Sequence, residues 1–324
     1  MNKNKIRYVK QVLGVAVLAA MAGQAMAEVS FDANIELNTD AVDAENADTT
    51  YDQNGRVEVN AFGRHEKDGY FVQGRGTALL NTDGEADVDD AWIQFGNSTW
   101  DLQGGRFEAA NLFPLGKDTL VVHAGGDDVS VYAANKARGR VGDGGGQLAL
   151  HLNASESLKF ELGTVFGDPE VDGDNTTAFS GVRPVVTFMG EGFSLSAGYE
   201  RISYDLDAGG DVDQDGFAIT TSFNVGAAAI NLSASHGEDD NTDEEVDSYA
   251  ANMVYGNFGA GLIYSQLDQA DTDVTTAYVA YTVPLFDIDN ASVTFAGSTS
   301  SADGVSDAVS DQTNALRVRF NYTF

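Results

Sequence analysis

The chain has 324 residues, no cysteine and a net charge of −32, with 50 acidic against 18 basic side chains. The missing thiols exclude a disulfide framework, and the charge excludes nucleic acid as a partner, because phosphate binding needs clustered cations. Disorder, the usual companion of such charge, is excluded by the regular recurrence of Gly, Tyr, Phe and Val.

At the N-terminus, Lys3, Lys5, Arg7 and Lys10 precede an apolar run, Val12 to Ala22, and a small-x-small site, Ala25-Met26-Ala27. The run is short for a membrane span, and the order of the three parts is that of a secretory signal peptide cleaved before Glu28. Residues 1–27 are therefore expected to be removed, taking the charge from −32 to −36 and leaving residues 28–324 as a single domain. No later segment is apolar enough for a membrane helix, so a membrane location would demand a closed barrel, in which no strand edge meets lipid.

From Val29 onward the chain divides into short runs of period two, the signature of strands. In order they are Val29–Asn38, Gly55–Glu66, Tyr70–Leu80, Val88–Gly96, Thr99–Phe107, a run within Lys136–Leu152, Leu158–Phe166 and Thr177–Met189. The second eight are Phe193–Tyr204, Gly216–Val225, Ala229–Ser235, Ser248–Gly256, Phe258–Gln266, Val274–Val283, Ala291–Ser300 and Thr313–Phe324. Pro184 removes a ladder donor from the eighth run and predicts a bulge or a boundary there. The glycines from Gly142 to Gly146 predict a bulge in the sixth, because Arg138 and Arg140 share parity with Leu148, Leu150 and Leu152.

The closing run alternates without error: Leu316, Val318, Phe320, Tyr322 and Phe324 face one way, and Arg317, Arg319, Asn321 and Thr323 the other. Lipid on one side and a watery lumen on the other require this pattern. Short turns alternate with long acidic connections, as in an up-and-down barrel. Seven of those connections hold 32 acidic residues without a Lys or Arg, all on one rim of the proposed barrel. Such a rim keeps the mouth soluble and raises the local concentration of cations within about 8–10 Å. One connection, Asp211-Val212-Asp213-Gln214-Asp215-Gly216, has the spacing that opens a calcium loop, with Asp211, Asp213 and Asp215 as ligands, but its twelfth position is Ser222 instead of Glu. No other cofactor is expected beyond loop-bound Ca or Mg. The four histidines, His65, His123, His151 and His236, make no Ser-His or metal-ligand spacing, so an enzyme is not expected.

The C-terminal segment resembles the assembly signal of Gram-negative outer-membrane barrels, which ends in Phe. Ala91-Trp92-Ile93-Gln94-Phe95-Gly96, followed by Leu102-Gln103-Gly104-Gly105-Arg106, resembles the strand four–five hairpin of sixteen-stranded Gram-negative porins. The long Gly-rich, apolar connection after it and Arg138-Gly139-Arg140-Val141-Gly142 are most like porins for oligosaccharides such as raffinose. The resemblance implies an all-β transmembrane antiparallel barrel of sixteen strands in the outer membrane, assembled as a homotrimer among lipid and lipopolysaccharide, with the third loop folded into the lumen. It also implies acids on that loop, here Glu108, Asp118 and Asp127 or Asp128, facing wall cations Arg56, Arg64, Arg75, Arg106, Arg138 and Arg140. Parity agrees for the second and third strands, where Arg56, Arg64 and Arg75 lie opposite the apolar face, and a charge on the lipid side costs about 2–4 kcal/mol at mid-depth. A sugar-passing lumen would stack rings on Phe62, Phe71 and Trp92, which have inward parity, and on Phe113 of the loop. The expected function is passive diffusion of small hydrophilic solutes with a leaning to cations. A substrate-selective oligosaccharide channel is the alternative, and a secreted acidic β-rich adhesin the rival of another class.

Overall fold

In a computed structural model the described residues are 28–324, except Asp118, Asp143, Asp172, Gly173, Ala208 and Ala270. The segment read as a signal peptide lies outside them. The alternating runs form sixteen long antiparallel strands. The first eight are β1 (Glu28–Ala44), β2 (Thr50–Lys67), β3 (Tyr70–Asn81), β4 (Ala86–Asn97), β5 (Trp100–Arg106), β6 (Gly145–Asn153), β7 (Leu158–Gly167) and β8 (Asp174–Gly190). The rest are β9 (Phe193–Leu206), β10 (Asp211–Val225), β11 (Ala228–Asp239), β12 (Glu244–Tyr255), β13 (Phe258–Leu267), β14 (Thr272–Pro284), β15 (Ala291–Asp303) and β16 (Gln312–Thr323). A two-residue strand, Glu170–Val171, pairs with the start of β8.

Each strand pairs with its chain neighbours, and β16 pairs with β1 from Asn34↔Thr323 to Ala44↔Thr313, so the sheet closes on itself. Phe324 and Ala33 exchange both backbone hydrogen bonds at the seam, at 2.8 and 2.9 Å. Closure leaves no strand edge, the condition for crossing lipid. The outer face carries the large exposed apolar side chains, among them Phe31, Ile93, Leu162, Phe217, Leu262 and Phe295. The opposite parity carries Asn60, Thr77, Arg183, Glu200, Ser248, Ser265 and Thr276, all buried.

The strands differ from their expected bounds mostly at the acidic rim. There β1, β2 and β8 to β12 run several residues into stretches expected to be loops. Above the lipid both faces meet water, so alternation fades while the backbone ladder continues, and the hydrophobic pattern cannot mark the end. This overturns the calcium expectation. Asp211, Asp213 and Asp215 lie on β10, paired with Asp205, Ser203 and Arg201. Carboxylates two residues apart on extended chain are spread along the strand at about 3.3 Å per residue and do not wrap one ion. Among the described residues no cluster of His, Cys, Asp or Glu has metal-binding geometry.

Two local expectations are also corrected. Pro184 sits within β8 opposite Leu162, and β9 keeps one register on either side of it; the register shift falls later, between Ser203 and Asp205. The glycine run does not bulge β6 but precedes and starts it at Gly145. Arg138 and Arg140 therefore belong to the connection before β6, not to the wall.

Candidate functional site: the lumen and its long loop

The described residues of the connection between β5 and β6, residues 107–144, lie against the inner wall. Its outward arm and its return arm touch strand after strand. Asn252 Nδ2 donates to Pro114 O (2.6 Å), Tyr278 Oη to Leu115 O (3.0 Å), Ser265 Oγ to Ser130 O (2.6 Å) and Thr272 Oγ1 to Asp128 O (3.1 Å). The Ala124 and Tyr132 amides donate to Ser300 Oγ (2.9 Å) and Ser248 Oγ (3.0 Å). Apolar side chains fill the spaces between: Leu112 and Ala134 against Val185 and Ala218, Phe113 against Ala250, Ile263 and Tyr278, and Ala124 against Val274 and Ala302. Burying a side chain such as Leu112 is worth about 1.5–3 kcal/mol, and an unpaired buried backbone group costs about 1–3 kcal/mol. Both terms favour a docked loop over one projecting into water.

Glycines on the wall make room for it. A Cβ on Gly198 would stand 2.6 Å from Leu112 Cδ1, one on Gly237 would stand 2.7 Å from the Tyr132 ring, and one on Gly259 would overlap Lys117. Inward Ser and Thr on β11 to β15 complete the groove by hydrogen-bonding the loop's backbone.

A buried charge cluster fastens the loop on the β7–β9 side. The Arg183 side chain, wholly shut off from solvent, donates to Ala134 O (Nε, 3.1 Å) and Ala110 O (Nη2, 2.8 Å). Glu200 accepts from Tyr132 Oη (2.8 Å) and from the Lys136 and Ala137 amides (3.1 and 3.0 Å). Glu161 accepts from the Ala110 amide (3.0 Å) and lies 3.6 Å from Arg183. A polar chain continues from Glu161 through His151 (3.3 Å), Asp101 (2.5 Å) and Gln94 (2.6 Å) to Gln73 (2.5 Å). The sequence signal for this cluster is charge at inward parity on three consecutive strands, and the reading of the sequence passed over it.

Across the lumen, β16 and β1 to β4 carry an unbroken run of ion pairs. Arg319 meets Glu36 (3.9 Å), Glu36 meets Arg56 (3.4 Å), and Arg56 meets Glu58 (3.4 Å). Glu58 meets Arg75 (3.7 Å), Arg75 meets Asp90 (3.6 Å), and Asp90 meets Arg140 (3.4 Å). Arg140 also meets Asp89 (2.8 Å) and Glu108 (3.7 Å), and Glu108 meets Arg138 (2.9 Å). Two adjacent aspartates reach one guanidinium because β3 and β4 shift register between Gly76 and Ala78, with Asp89 and Asp90 opposite Thr77 alone. Beside this run Arg317 holds Asp40 through two hydrogen bonds of 2.8 and 2.6 Å. Arg317, Arg319, Arg56 and Glu36 border a polar recess of ≈ 690 Å³ with Asn38, Asn54 and Asn81.

The expected wall cations thus separate. Arg56 and Arg75 stand on the wall, and Arg138 and Arg140 reach the same run from the loop base. Arg64 lies toward the short-turn end, bound to Glu66 and Gln73 and 4.2 Å over the Phe71 ring. Arg106 donates to four main-chain carbonyls, those of Val88, Asp89, Arg140 and Val141, and ties the loop base to β4. Of the expected loop acids, Glu108 joins the run from the loop base beside Arg138, and Asp118 is outside the described residues. Asp127 and Asp128 sit in a 3-10 turn at the acidic rim, where Asp128 accepts from the Ser306 amide (2.8 Å). That hydrogen bond holds the Asp128 carboxyl below its ordinary 3.8. Among the described residues neither pairs with an arginine, because the loop's far end docks on the β15–β16 connection. Of the aromatics, Phe62 and Trp92 meet edge-on at 6.4 Å. Phe113 is packed into the wall, only 6% exposed, and has no face for a sugar ring.

The model of the family described as porin-like glycoporin RafY matches residues 17–324. No curated protein matches the chain. Among solved structures, the barrel is similar to OmpT of Vibrio cholerae in its trimer form, with 16% identity, TM-score 0.64, and coverage of 91% of this chain and 99% of that one. It is similar to the anion-selective porin of Comamonas acidovorans at 13% identity and TM-score 0.65, covering 92% and 100%. An engineered variant of the Rh. blastica porin gives 16% identity and TM-score 0.59, covering 91% and 100%. At such identities these likenesses speak for the fold alone, but the family match spans nearly the whole chain. The chain belongs to the porin-like glycoporin (RafY) family of outer-membrane porins.

Proposed function

We propose that this porin is a water-filled channel for passive diffusion of small hydrophilic solutes, with a mild preference for cations. The observation that carries it is the division of the lumen: a docked loop on one side, a wall of paired charges on the other, and an acidic rim above. Paired charges present no large net field to a passing solute, while the rim concentrates cations and is screened by salt. In this reading the constriction lies between the long loop and the wall bearing Arg56 and Arg75, with Arg138 and Arg140 at the loop base beside it. Residues 1–27 act as a cleaved export signal, the barrel resides in a Gram-negative outer membrane, and it assembles as a homotrimer, as OmpT does in its trimer form. Divalent ions bridge the acidic rim to neighbouring lipopolysaccharide. Planar-bilayer recording in a KCl gradient tests the reading: a reversal potential of cationic sign at low salt that fades at high salt is expected, and strong anion preference would refute it.

Oligosaccharide passage is a second reading, favoured by the family description and by the inward Phe62–Trp92 pair. Concentration-dependent block of the current by a trisaccharide such as raffinose would support it, and unimpeded current would count against it.

A further inference from the structure

Wall cations in a lumen are expected to face acids on the loop, yet here four of the acids that answer the arginines, Glu36, Glu58, Asp89 and Asp90, stand on the wall itself. Glu36 on β1, Glu58 on β2 and Asp90 on β4 alternate with Arg319, Arg56, Arg75 and Arg140 at 3.4 to 3.9 Å. Counted with Asp89, Glu108 and Arg138, the run linked by these ion pairs among the described residues holds five arginines and five carboxylates, equal in charge. The arginines keep part of their surface toward the lumen, with side chains of Arg56, Arg75 and Arg140 37, 36 and 31% exposed, while Glu58 and Asp90 are only 15 and 12% exposed. A solute therefore meets guanidinium edges whose charge is cancelled from behind.

We infer that the wall carboxylates Glu36, Glu58 and Asp90, with Glu58 foremost, determine the ion preference of the pore by cancelling the arginine charge. Glu58 is the strongest case because it touches two arginines, Arg56 at 3.4 Å and Arg75 at 3.7 Å, and accepts a further hydrogen bond from Asn60 (3.2 Å). Its neutral isostere retains an acceptor for those donors, and the backbone ladders of β2 to β1 and β3 hold the strand in place regardless. Loss of the charge should then unbalance the run by one positive charge without undoing the wall. This inference rests on the channel reading above and specifies what sets its selectivity.

The test is the reversal potential of the full-length channel in a planar bilayer under a KCl gradient. Glu58→Gln and Asp90→Asn should each lower the cation-to-anion permeability ratio, on the order of threefold for one unit charge at close range in a screened aqueous pore. Arg75→Gln should raise it by a similar factor, and Glu58→Gln combined with Arg75→Gln should return it near the wild-type value. Conducting single variants whose reversal potentials match wild type, or shifts of the same sign for Glu58→Gln and Arg75→Gln, would overturn the inference while leaving the channel reading intact. A wild-type protein that inserts and passes no current would overturn both.

Discussion

Arg183 and Glu200 stand 3.7 Å apart on β8 and β9, both closed to solvent, and their best hydrogen bonds are with the long loop instead of with each other: Arg183 donates to its carbonyls and Glu200 accepts from its amides. The pair is a clasp, compensating its own burial while reading the loop's backbone. Glu200→Gln should leave Arg183 short of counter-charge, and removing one partner of a buried pair costs about 3–5 kcal/mol. A lower thermal midpoint for heat-modifiable migration, together with a noisier open-channel current from a loosened loop, is the expected outcome. A quiet channel with wild-type heat resistance would contradict the clasp.

The glycine sockets make a steric prediction. Gly237→Leu and Gly198→Ile would collide with the Tyr132 ring and with Leu112, so either should displace the loop into the lumen and change conductance. Gly192→Ala is the control, because nothing lies within 4 Å of a Cβ there. Its residue has φ +77, so a small loss of stability is expected with conductance unchanged.

The outer face can be tested independently of the pore. Leu316 is 66% exposed on β16, toward lipid. Leu316→Arg should cost about 2–4 kcal/mol if it lies at mid-depth and less toward the interface, read as a lower yield of folded barrel in detergent or vesicles. Arg317, its neighbour of opposite parity, is held by Asp40, and Arg317→Leu should fail differently: the fold persists while the current changes.

The tip of the long loop carries a pH dependence. The Ser306 amide lowers the Asp128 pKa below its ordinary 3.8. A depressed carboxyl contributes its stabilisation fully above the ordinary value and loses it as pH falls through the lower, folded one. Current noise from the loop tip should therefore stay flat from neutral pH down to the ordinary carboxylate range and rise only below it. Asp128→Asn should show the low-pH behaviour at every pH.

Strand order, closure and facing were legible because lipid enforces a period of two on each strand. The same rule failed above the lipid, where Asp211, Asp213 and Asp215 read as a loop and are strand. The path of the long loop was legible only in kind. Its apolar content showed that it should fold inward, but whether Asp127 and Asp128 would meet arginines depended on where its far end docks. That place is set by glycines, serines and buried charges scattered over β7 to β15, each unremarkable in its own strand. Arg138 and Arg140 were placed on the wall by the porin resemblance, with strand six allowed to reach back through Gly142 to Gly146 on a bulge, where the ladder in fact begins only at Gly145.

The register shift between β3 and β4 has a consequence for insertions and deletions. One extra residue on β4 lets both Asp89 and Asp90 turn inward against Thr77. Deleting Asp89 would restore even pairing and leave both flanks as they are, with Val88 still opposite Ala78 and Asp87 opposite Leu79. Arg140 would lose its partner at 2.8 Å and keep Asp90 and Glu108. The pore's charge pattern is thus coupled to the count of residues in one strand, and a shortening of one codon at the bulge would remove a wall charge while sparing the membrane face.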